Sequence, residues 1–284
     1  MAQSPSGIPS TNNSVQSISR QAKYEPFDLQ VSRNQITGHT PVNIFGYGTT
    51  GTTAGLFVTM WENSPTTNYV FPVAAQVMYV ASTVGAGDAG ALIQVTGLDA
   101  NYNPISEIVA LGATSGTGVA TVKSYYRINN IAIALASTVQ PTGVITIQNQ
   151  AATSGAVEYA QINTTTYNGS TISIGTSQMS VYTVPANATL QLTRFTANSS
   201  FTGNTANYGT YRVVAQYPSV LNSSATLVRR IILNTPFVQQ FNIQRTFPFA
   251  YPAGTDVQWQ IAPSGTVACT VGINIGGVLI DSGS

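Results

Sequence analysis

Residues 256–262 read DVQWQIA, and this stretch indicates the fold class more clearly than any other part of the chain. Val257, Trp259 and Ile261 alternate with two glutamines. Alternation with a period of two places the apolar side chains on one face of a β-strand and the polar ones on the other. The stretch therefore predicts a strand with one buried face.

The same period recurs on both sides of this stretch. Residues 209–217, GTYRVVAQY, set four apolar or aromatic side chains against Arg212 and Gln216, and VITIQ (144–148) sets Ile145 and Ile147 against their neighbours. The nearest approach to a helix, NNIAIALA (129–136), also alternates, through Ile131, Ile133 and Leu135. Runs rich in Val, Ile, Thr and Tyr, separated by Gly, Asn, Ser and Pro about every 8–12 residues, are typical of all-β proteins.

We therefore predict an all-β protein with two antiparallel β-sandwich domains, jelly-roll or immunoglobulin-like, and an extended N-terminal arm. Residues 1–24 are polar and carry two prolines, which predicts the arm. A small, polar stretch at 148–156 divides the remainder, so the domains are expected at 25–150 and 151–284. Each half has a length that suits one sandwich.

The composition points to an assembled protein rather than a freely diffusing one. Charged residues make up 7% of the 284 residues, where about 25% is usual. The surface must then be built mainly from uncharged polar side chains, although solubility normally rests on charge. The net charge is +1, and the longest basic run is the pair Arg229 and Arg230, so the basic stripe of a nucleic-acid binder is missing.

The sequence pattern predicts neither a signal peptide nor a membrane span. Residues 1–20 lack the basic-then-apolar order of a signal peptide, and no apolar run reaches the roughly 18 residues of a membrane span. Cys269 is the single cysteine, so an intrachain disulfide is excluded, and its apolar setting predicts a small buried side chain. These features predict assembly in a cytoplasm.

Asp99, Asn101 and Asn103, in LDANYNPISEIVALG (98–112), are spaced as the first ligands of a calcium loop. An EF-hand would need Gly at the sixth position and Glu at the twelfth, where this chain has Pro104 and Ala110. Asn and Asp also favour turns because they bond their own backbone. We predict a hairpin here and keep the three residues only as weak metal candidates.

No catalytic constellation is found, and we predict a protein without enzymatic activity and without a cofactor. His39 is the single histidine and lies in a segment interpreted as a linker. A glycosidase needs two acids about 5–9.5 Å apart, and the nine acids are scattered, so a paired-acid hydrolase remains a third, weaker alternative. The glycine-rich residues 46–55 lack the lysine of a phosphate loop and are interpreted as a flexible connection, with a strand expected after them in LFVTMWEN (56–63).

Aromatic side chains supply the remaining binding candidates. Tyr is a strand former and suits interfaces, because its ring is large and carries one polar group. Packing or subunit contact is therefore favoured over a carbohydrate platform. The predicted partner-binding residues are Arg20, Tyr24, Phe27, Tyr125, Tyr126, Phe249 and Tyr251.

Five stretches together resemble one group of proteins: PFDLQVSRNQITGHTPVNIFGY (26–47), VTGLDANYNPISEIVALG (95–112), KSYYRINNIAI (123–133), SQMSVYTVPANATLQLTRFTANS (177–199) and FPFAYPAGTDVQWQIA (247–262). Residues 26–280 are similar to virion structural proteins of marine tailed bacteriophages, especially those that infect cyanobacteria. The resemblance implies a virion component that is assembled in the host cytoplasm. Proteins of this group have no catalytic residues that could be matched to positions in this chain.

Together with the composition, the resemblance leads us to predict a capsid decoration or cement protein that binds the major capsid lattice, forms homo-oligomers and contacts neither nucleic acid nor membrane. The alternative is a tail- or fibre-associated virion protein that binds host glycan or connects a fibre. That alternative would place Tyr125 and Tyr126, or the Phe249–Tyr251 segment, on an open tip.

Overall fold

The computed structural model describes residues 26–65, 68–201, 208–217, 231–236 and 241–283. The predicted arm, residues 1–24, lies outside the described residues, and so do its two candidates Arg20 and Tyr24. The described chain holds one short helix, α1 (Phe27–Ser32), one turn of 3₁₀-helix (Gly85–Gly87) and eighteen strands.

In the first part of the chain the strands are β1 (His39–Thr49), β2 (Val58–Thr59), β3 (Gln76–Ser82), β4 (Leu92–Leu98), β5 (Pro104–Ala110), β6 (Val119–Tyr125), β7 (Arg127–Ile133), β8 (Ile145–Gln148) and β9 (Glu158–Ile162). The later strands are β10 (Thr164–Tyr167), β11 (Ser170–Ser173), β12 (Val181–Thr183), β13 (Ala188–Phe201), β14 (Tyr208–Gln216), β15 (Ile231–Pro236), β16 (Phe241–Tyr251), β17 (Asp256–Pro263) and β18 (Cys269–Asp281).

All pairings between these strands are antiparallel, and the all-β prediction is confirmed. One sheet has the order β1-β18-β13-β16, and a second has the order β12-β17-β14-β15 with β2 also paired to β17. A third sheet, β6-β3-β8-β9, and a fourth, β5-β4-β7, lie in the chain between β2 and β12. Strands β10 and β11 form a separate hairpin.

Two hydrophobic clusters fill the spaces between the sheets. Core I draws its side chains from residues 42–60 and 184–275, and core II draws them from residues 61–181. Trp259 is buried in core I, and Trp61 is buried in core II. Core II is therefore built from one continuous segment, while core I is built from segments on both sides of it.

The cores do not divide at the predicted boundary between residues 150 and 151. The small, polar stretch 148–156 connects β8 to β9, and these two strands pair with each other within one sheet. Gly155 supplies the turn with a φ of +74°, a conformation that a side chain disfavours. The composition change thus marks a hairpin connection. The chain instead passes from core I to core II at residues 60–61 and returns to core I at residues 181–184.

The two points at which the chain crosses between the cores are hydrogen-bonded to each other. The Ser180 N–H donates to the Met60 carbonyl at 2.8 Å, and the Ser180 hydroxyl contacts the same oxygen at 2.7 Å. The hydroxyl also lies 2.9 Å from the Trp259 carbonyl oxygen. These contacts hold the entry and the exit of the core II segment against β17.

The period-two pattern predicts burial correctly where a sheet has one open face. In β17, Val257, Trp259 and Ile261 are buried while Gln258 and Gln260 are half-buried. The pattern fails in β8, where all four residues Ile145–Gln148 are buried because both faces are covered. It also fails at Leu135, which lies beyond the end of β7 and is fully exposed.

The segment interpreted as linker and flexible connection is largely a strand. His39 begins β1 and pairs with Ile280, and residues 46–49 complete the same strand. A Cβ atom on Gly46 would lie 2.5 Å from the Ser180 Cβ, and one on Gly48 would lie 2.7 Å from the Trp61 carbonyl oxygen. These glycines permit close packing rather than flexibility. In LFVTMWEN, β2 is limited to Val58–Thr59.

Candidate functional site

The Asp99 loop connects β4 to β5, and the predicted hairpin is confirmed. One oxygen of the Asp99 carboxylate accepts hydrogen bonds from the backbone N–H groups of Asn101, at 2.8 Å, and Asn103, at 2.9 Å. The other oxygen accepts from the Asn103 side-chain amide at 3.1 Å. The hydrogen bond from the Asn103 side chain lowers the pKa of Asp99. Burial opposes this effect, but the two backbone donors add to it, so the pKa lies below its ordinary value.

The Asp99 carboxylate is thus used to hold its own turn. Tyr102 occupies the left-handed position of that turn, with a φ of +62°. Within the described ranges, no group of three or more His, Cys, Asp or Glu side chains is arranged to hold a metal ion. The donors around Asp99 favour the turn interpretation over a metal site.

Tyr125 and Tyr126 differ in burial although they are neighbours in the sequence. Tyr125 is fully buried in core II, and its hydroxyl lies 3.5 Å from the Val95 carbonyl oxygen. Tyr126 is half-buried, and its ring packs edge-on against Tyr102 with centroids 5.4 Å apart. Tyr125 therefore cannot form the open tip that the tail-associated alternative requires, although a partner-binding role for Tyr126 stays a prediction.

The segment from Phe249 to Tyr251 ends strand β16 and is not a loop. Tyr251 is 1% exposed and lies in core I, which contradicts its placement on an open tip. Phe249 belongs to the same strand, and its side chain lies outside the described residues. Phe27 is 47% exposed on α1 and meets the His39 ring edge-on at 5.9 Å, so it is accessible to a partner.

A buried ion pair that the sequence analysis missed joins the two cores. The Arg127 Nε and one terminal nitrogen donate to the two oxygens of Asp256, each at 2.8 Å. The Thr183 hydroxyl donates to the same carboxylate at 2.6 Å. Both charged side chains are about 5% exposed or less, so a parallel, bidentate geometry compensates for their loss of water.

The other terminal nitrogen of Arg127 also has acceptors, and aromatic rings lie near its guanidinium. Its other terminal nitrogen donates to the carbonyl oxygens of Pro72 and Tyr126, each at 2.8 Å. The guanidinium carbon lies 3.8 Å from the Tyr126 ring centre and 5.0 Å from the Phe71 ring centre. The one sequence signal for this site is an arginine inside the strand pattern SYYRI (124–128), whose two tyrosines are the predicted binding residues.

Two further acids, Asp88 and Glu107, have structural partners. Asp88 is fully buried and accepts from the Ser82 hydroxyl at 2.5 Å, the Thr142 N–H at 2.8 Å and the Gly143 N–H at 3.0 Å. Burial raises the pKa of Asp88, but these hydrogen bonds outweigh burial, so the pKa lies below its ordinary value. The Glu107 carboxylate accepts the N–H groups of Val122 and Lys123 on β6.

Glu62 is the acid whose environment is least favourable to charge. Burial raises its pKa to about 8, although a hydrogen bond from the Gln178 N–H to one carboxyl oxygen opposes the rise. The second carboxyl oxygen is buried and has no hydrogen-bond partner among the residues that the structure describes. A carboxyl group in this setting is largely protonated at neutral pH.

The described surface is poor in charge and carries many exposed apolar side chains. Cys269 is fully buried in core I, as predicted. Among the described residues, no helix is long and apolar enough to cross a bilayer. The exposed large apolar side chains are Phe27, Leu29, Phe45, Tyr47, Leu56, Val70, Val73, Val84, Ile108, Val122, Leu135, Val157 and Tyr167.

Comparison with known proteins leaves the chain without an assigned family. No family model matches the sequence, and no curated protein matches it. Among solved structures, the VP2 subviral particle of infectious bursal disease virus aligns over 87% of this chain and 73% of its own, with 11% identity and a TM-score of 0.26. The T13 particle of the same virus aligns over 95% and 78%, with 12% identity and a TM-score of 0.26. At these TM-scores the likeness indicates neither a shared fold nor a shared role.

Proposed function

We propose that this protein is a non-enzymatic structural component of a bacteriophage particle and that it binds the major capsid lattice as a decoration or cement protein. The charge-poor, apolar-rich surface is the observation that carries this proposal. Charged residues are 7% of the chain, and Asp88, Arg127 and Asp256 are buried, so even fewer charges reach the surface. The resemblance of residues 26–280 to virion proteins supports the same conclusion.

A surface of this kind suits a protein that is covered by neighbours. Apolar side chains such as Val73, Val122 and Leu135 are more than nine-tenths exposed, and each gains stability when a neighbouring subunit removes it from water. No single scattered residue provides a strong contact. Repetition of weak contacts over a symmetric lattice gives a large total affinity, because each copy that binds holds the next at high local concentration.

The arm is the second element of the proposed attachment. Residues 1–24 are polar and nearly uncharged, a composition that suits an extended segment added to the edge of a neighbouring sheet. A variant that lacks residues 1–24 should bind particles more weakly than the full chain and should keep the same melting temperature. Equal binding by the two chains would remove the arm from the mechanism.

The number of copies in each particle tests the proposal directly. Quantitative mass spectrometry of purified particles, referred to the major capsid protein, should give a copy number on the order of that of the capsid protein itself. A count of only a few copies in each particle, as the rotational symmetry of one tail vertex would give, would favour the tail- or fibre-associated alternative. Absence of the chain from purified particles would overturn both.

The absence of enzymatic activity needs its own measurement. The purified chain should release no reducing sugar from host polysaccharide over long incubation. The acids described above support this expectation, because Asp88, Asp99, Glu107 and Asp256 are each engaged by donors of the protein itself. Hydrolysis that disappeared when one of these acids was changed would contradict the proposal.

A further inference from the structure

A cleft of about 390 Å³ opens beside β1, where this strand faces β4, β7 and β12. Its walls include Asn43 and Phe45 from β1, Thr96 from β4, Asn130 from β7 and Tyr182 from β12. We call this space the β1 cleft. Its volume lies in the roughly 300–1,000 Å³ range of pockets that hold small molecules.

The lining of the β1 cleft carries no charge. Every residue that lines it within the described part of the chain is apolar, an amide, a hydroxyl or a glycine. A phosphate or carboxylate ligand would find no cation to neutralise it, and an ammonium ligand or metal ion would find no carboxylate. The lining therefore selects a neutral ligand.

Several polar groups of the cleft have no partner among the described residues. The side-chain amide of Asn43 and the hydroxyl of Thr96 make no hydrogen bond there, and both residues are accessible to solvent. The oxygen of Asn130 accepts hydrogen bonds from Thr176 and Ser177, while its NH₂ group is left without an acceptor. A purely apolar ligand would bury these groups unpaired, at a cost to its own affinity.

Two aromatic side chains complete the cleft. Phe45 leaves 44% of its surface exposed although it stands on a strand, and it is one of the residues that line the cleft. Tyr182 packs against core I, and burial alone raises the pKa of its hydroxyl. That hydroxyl makes no hydrogen bond with the described residues.

From this combination we infer that the β1 cleft binds a neutral saccharide. A pyranose ring has an apolar face of C–H groups, which stacks on an aromatic ring, and a rim of hydroxyls, which both donate and accept hydrogen bonds. Amide and hydroxyl side chains match such a rim because they also donate and accept. The cleft thus presents both kinds of partner that a sugar needs and lacks the charges that other ligands need.

This inference does not depend on the proposed function, because the β1 cleft is a property of the isolated chain. It also differs from the predicted carbohydrate candidates, since Tyr125 and Tyr251 are buried elsewhere. A decoration protein with such a cleft would bring saccharide binding to the particle surface. The copy-number measurement tests the proposed function, and the saccharide titration tests this inference, so either can fail while the other succeeds.

The test uses the full chain on an array of neutral and acidic glycans, followed by calorimetric titration with neutral probes that include maltohexaose, cellohexaose and chitohexaose. At least one neutral saccharide should bind. Phe45→Ala should weaken that binding about tenfold, which corresponds to the loss of one stacked ring. Thr96→Val, which removes a hydroxyl and nearly conserves volume, should weaken it about two- to tenfold.

Tyr47→Ala is the matched control. Tyr47 stands two residues after Phe45 on the same face of β1, is 43% exposed and does not line the cleft. It should leave the affinity unchanged. The inference is overturned if no neutral saccharide binds, if only acidic saccharides bind, or if Tyr47→Ala weakens binding as much as Phe45→Ala.

Discussion

The guanidinium of Arg127 and the carboxylate of Asp256 meet through two hydrogen bonds of 2.8 Å, although 129 positions separate them in the sequence. Arg127 begins β7, which lies over core II, and Asp256 begins β17, which lies over core I. The pair thus joins the two cores at a point from which water is excluded. Its energy depends on both partners being present, since each alone would be a buried, uncompensated charge.

Arg127→Gln and Asp256→Asn should therefore each destabilise the protein by about 3–5 kcal/mol. The double variant should be less destabilised than the sum of the two single ones, because it leaves no isolated charge. Chemical denaturation of the three variants measures these differences. Asp28→Asn, at an exposed position on α1, serves as a control and should change the unfolding free energy by less than about 0.5 kcal/mol. Additive losses at Arg127 and Asp256 would contradict a coupled pair.

Glu62 should make the protein less stable as the pH rises. Its pKa is raised from 4.5 to about 8 in the folded protein, so the folded state holds the proton more tightly than the unfolded chain. Stability from this group is fully present below about pH 4.5 and is lost as the pH rises through 8.

Glu62→Gln keeps the shape of the side chain and cannot ionise. Thermal unfolding from pH 5 to pH 9 should show a falling melting temperature in the unaltered protein and a flatter profile in the variant, with the variant more stable at pH 9. Identical slopes for the two proteins would show that Glu62 is not the group responsible.

Asp88 should give the opposite pH dependence. Its hydrogen bonds from Ser82, Thr142 and Gly143 hold its folded pKa below 3.8, so its contribution is present above that value and is lost as the pH falls below it. Asp88→Asn should cost about 1–3 kcal/mol at pH 7, because one or more buried donors lose their acceptor.

Asp99→Asn provides the comparison for Asp88, since Asn can hold the same type of turn on the surface. It should cost less than Asp88→Asn in the same denaturation experiment. An equal or larger loss at Asp99 would show that burial is not what gives the Asp88 hydrogen bonds their value.

Gly97→Ala should be among the most destabilising single substitutions in core II. A Cβ atom at this position would lie 2.0 Å from the Arg127 carbonyl oxygen, at a register irregularity between β4 and β7. Backbone must move to relieve that contact, so the cost should reach or exceed the upper end of the ~1–3 kcal/mol range for overpacking. A Cβ atom on Gly51 would have no described neighbour within 4 Å, so Gly51→Ala should be nearly neutral in the same measurement. Comparable losses would rule out the steric explanation.

Local patterns predicted the strands well where one face of a sheet is open. The alternation in DVQWQIA corresponds to β17, and the Asp99 turn corresponds to the β4–β5 hairpin. Both depend on residues adjacent in sequence. The same reasoning gave no warning at Ile145–Gln148, because burial of both faces depends on sheets that approach from distant parts of the chain.

The features that went unpredicted are long-range. His39 is a strand residue because it pairs with Ile280. This pairing could not be predicted locally, since Ile280 lies at the other end of the described chain. The sequence around Gly46 predicts flexibility, and only the structure shows that Ser180 packs closely against this glycine. The Arg127–Asp256 pair and the β1 cleft share this property, since each is made by elements that only the tertiary structure brings together.

The hydrogen bond between Ser180 and Met60 has a consequence for modular exchange. Because the chain leaves core I and returns to it at adjoining points, the intervening segment is attached as an insertion is attached to a host. Such a segment can be lengthened or exchanged while the strands on both sides keep their partners, provided that Arg127 remains to pair with Asp256 on β17. The arrangement allows one half of the protein to diversify while the other half preserves its sheets.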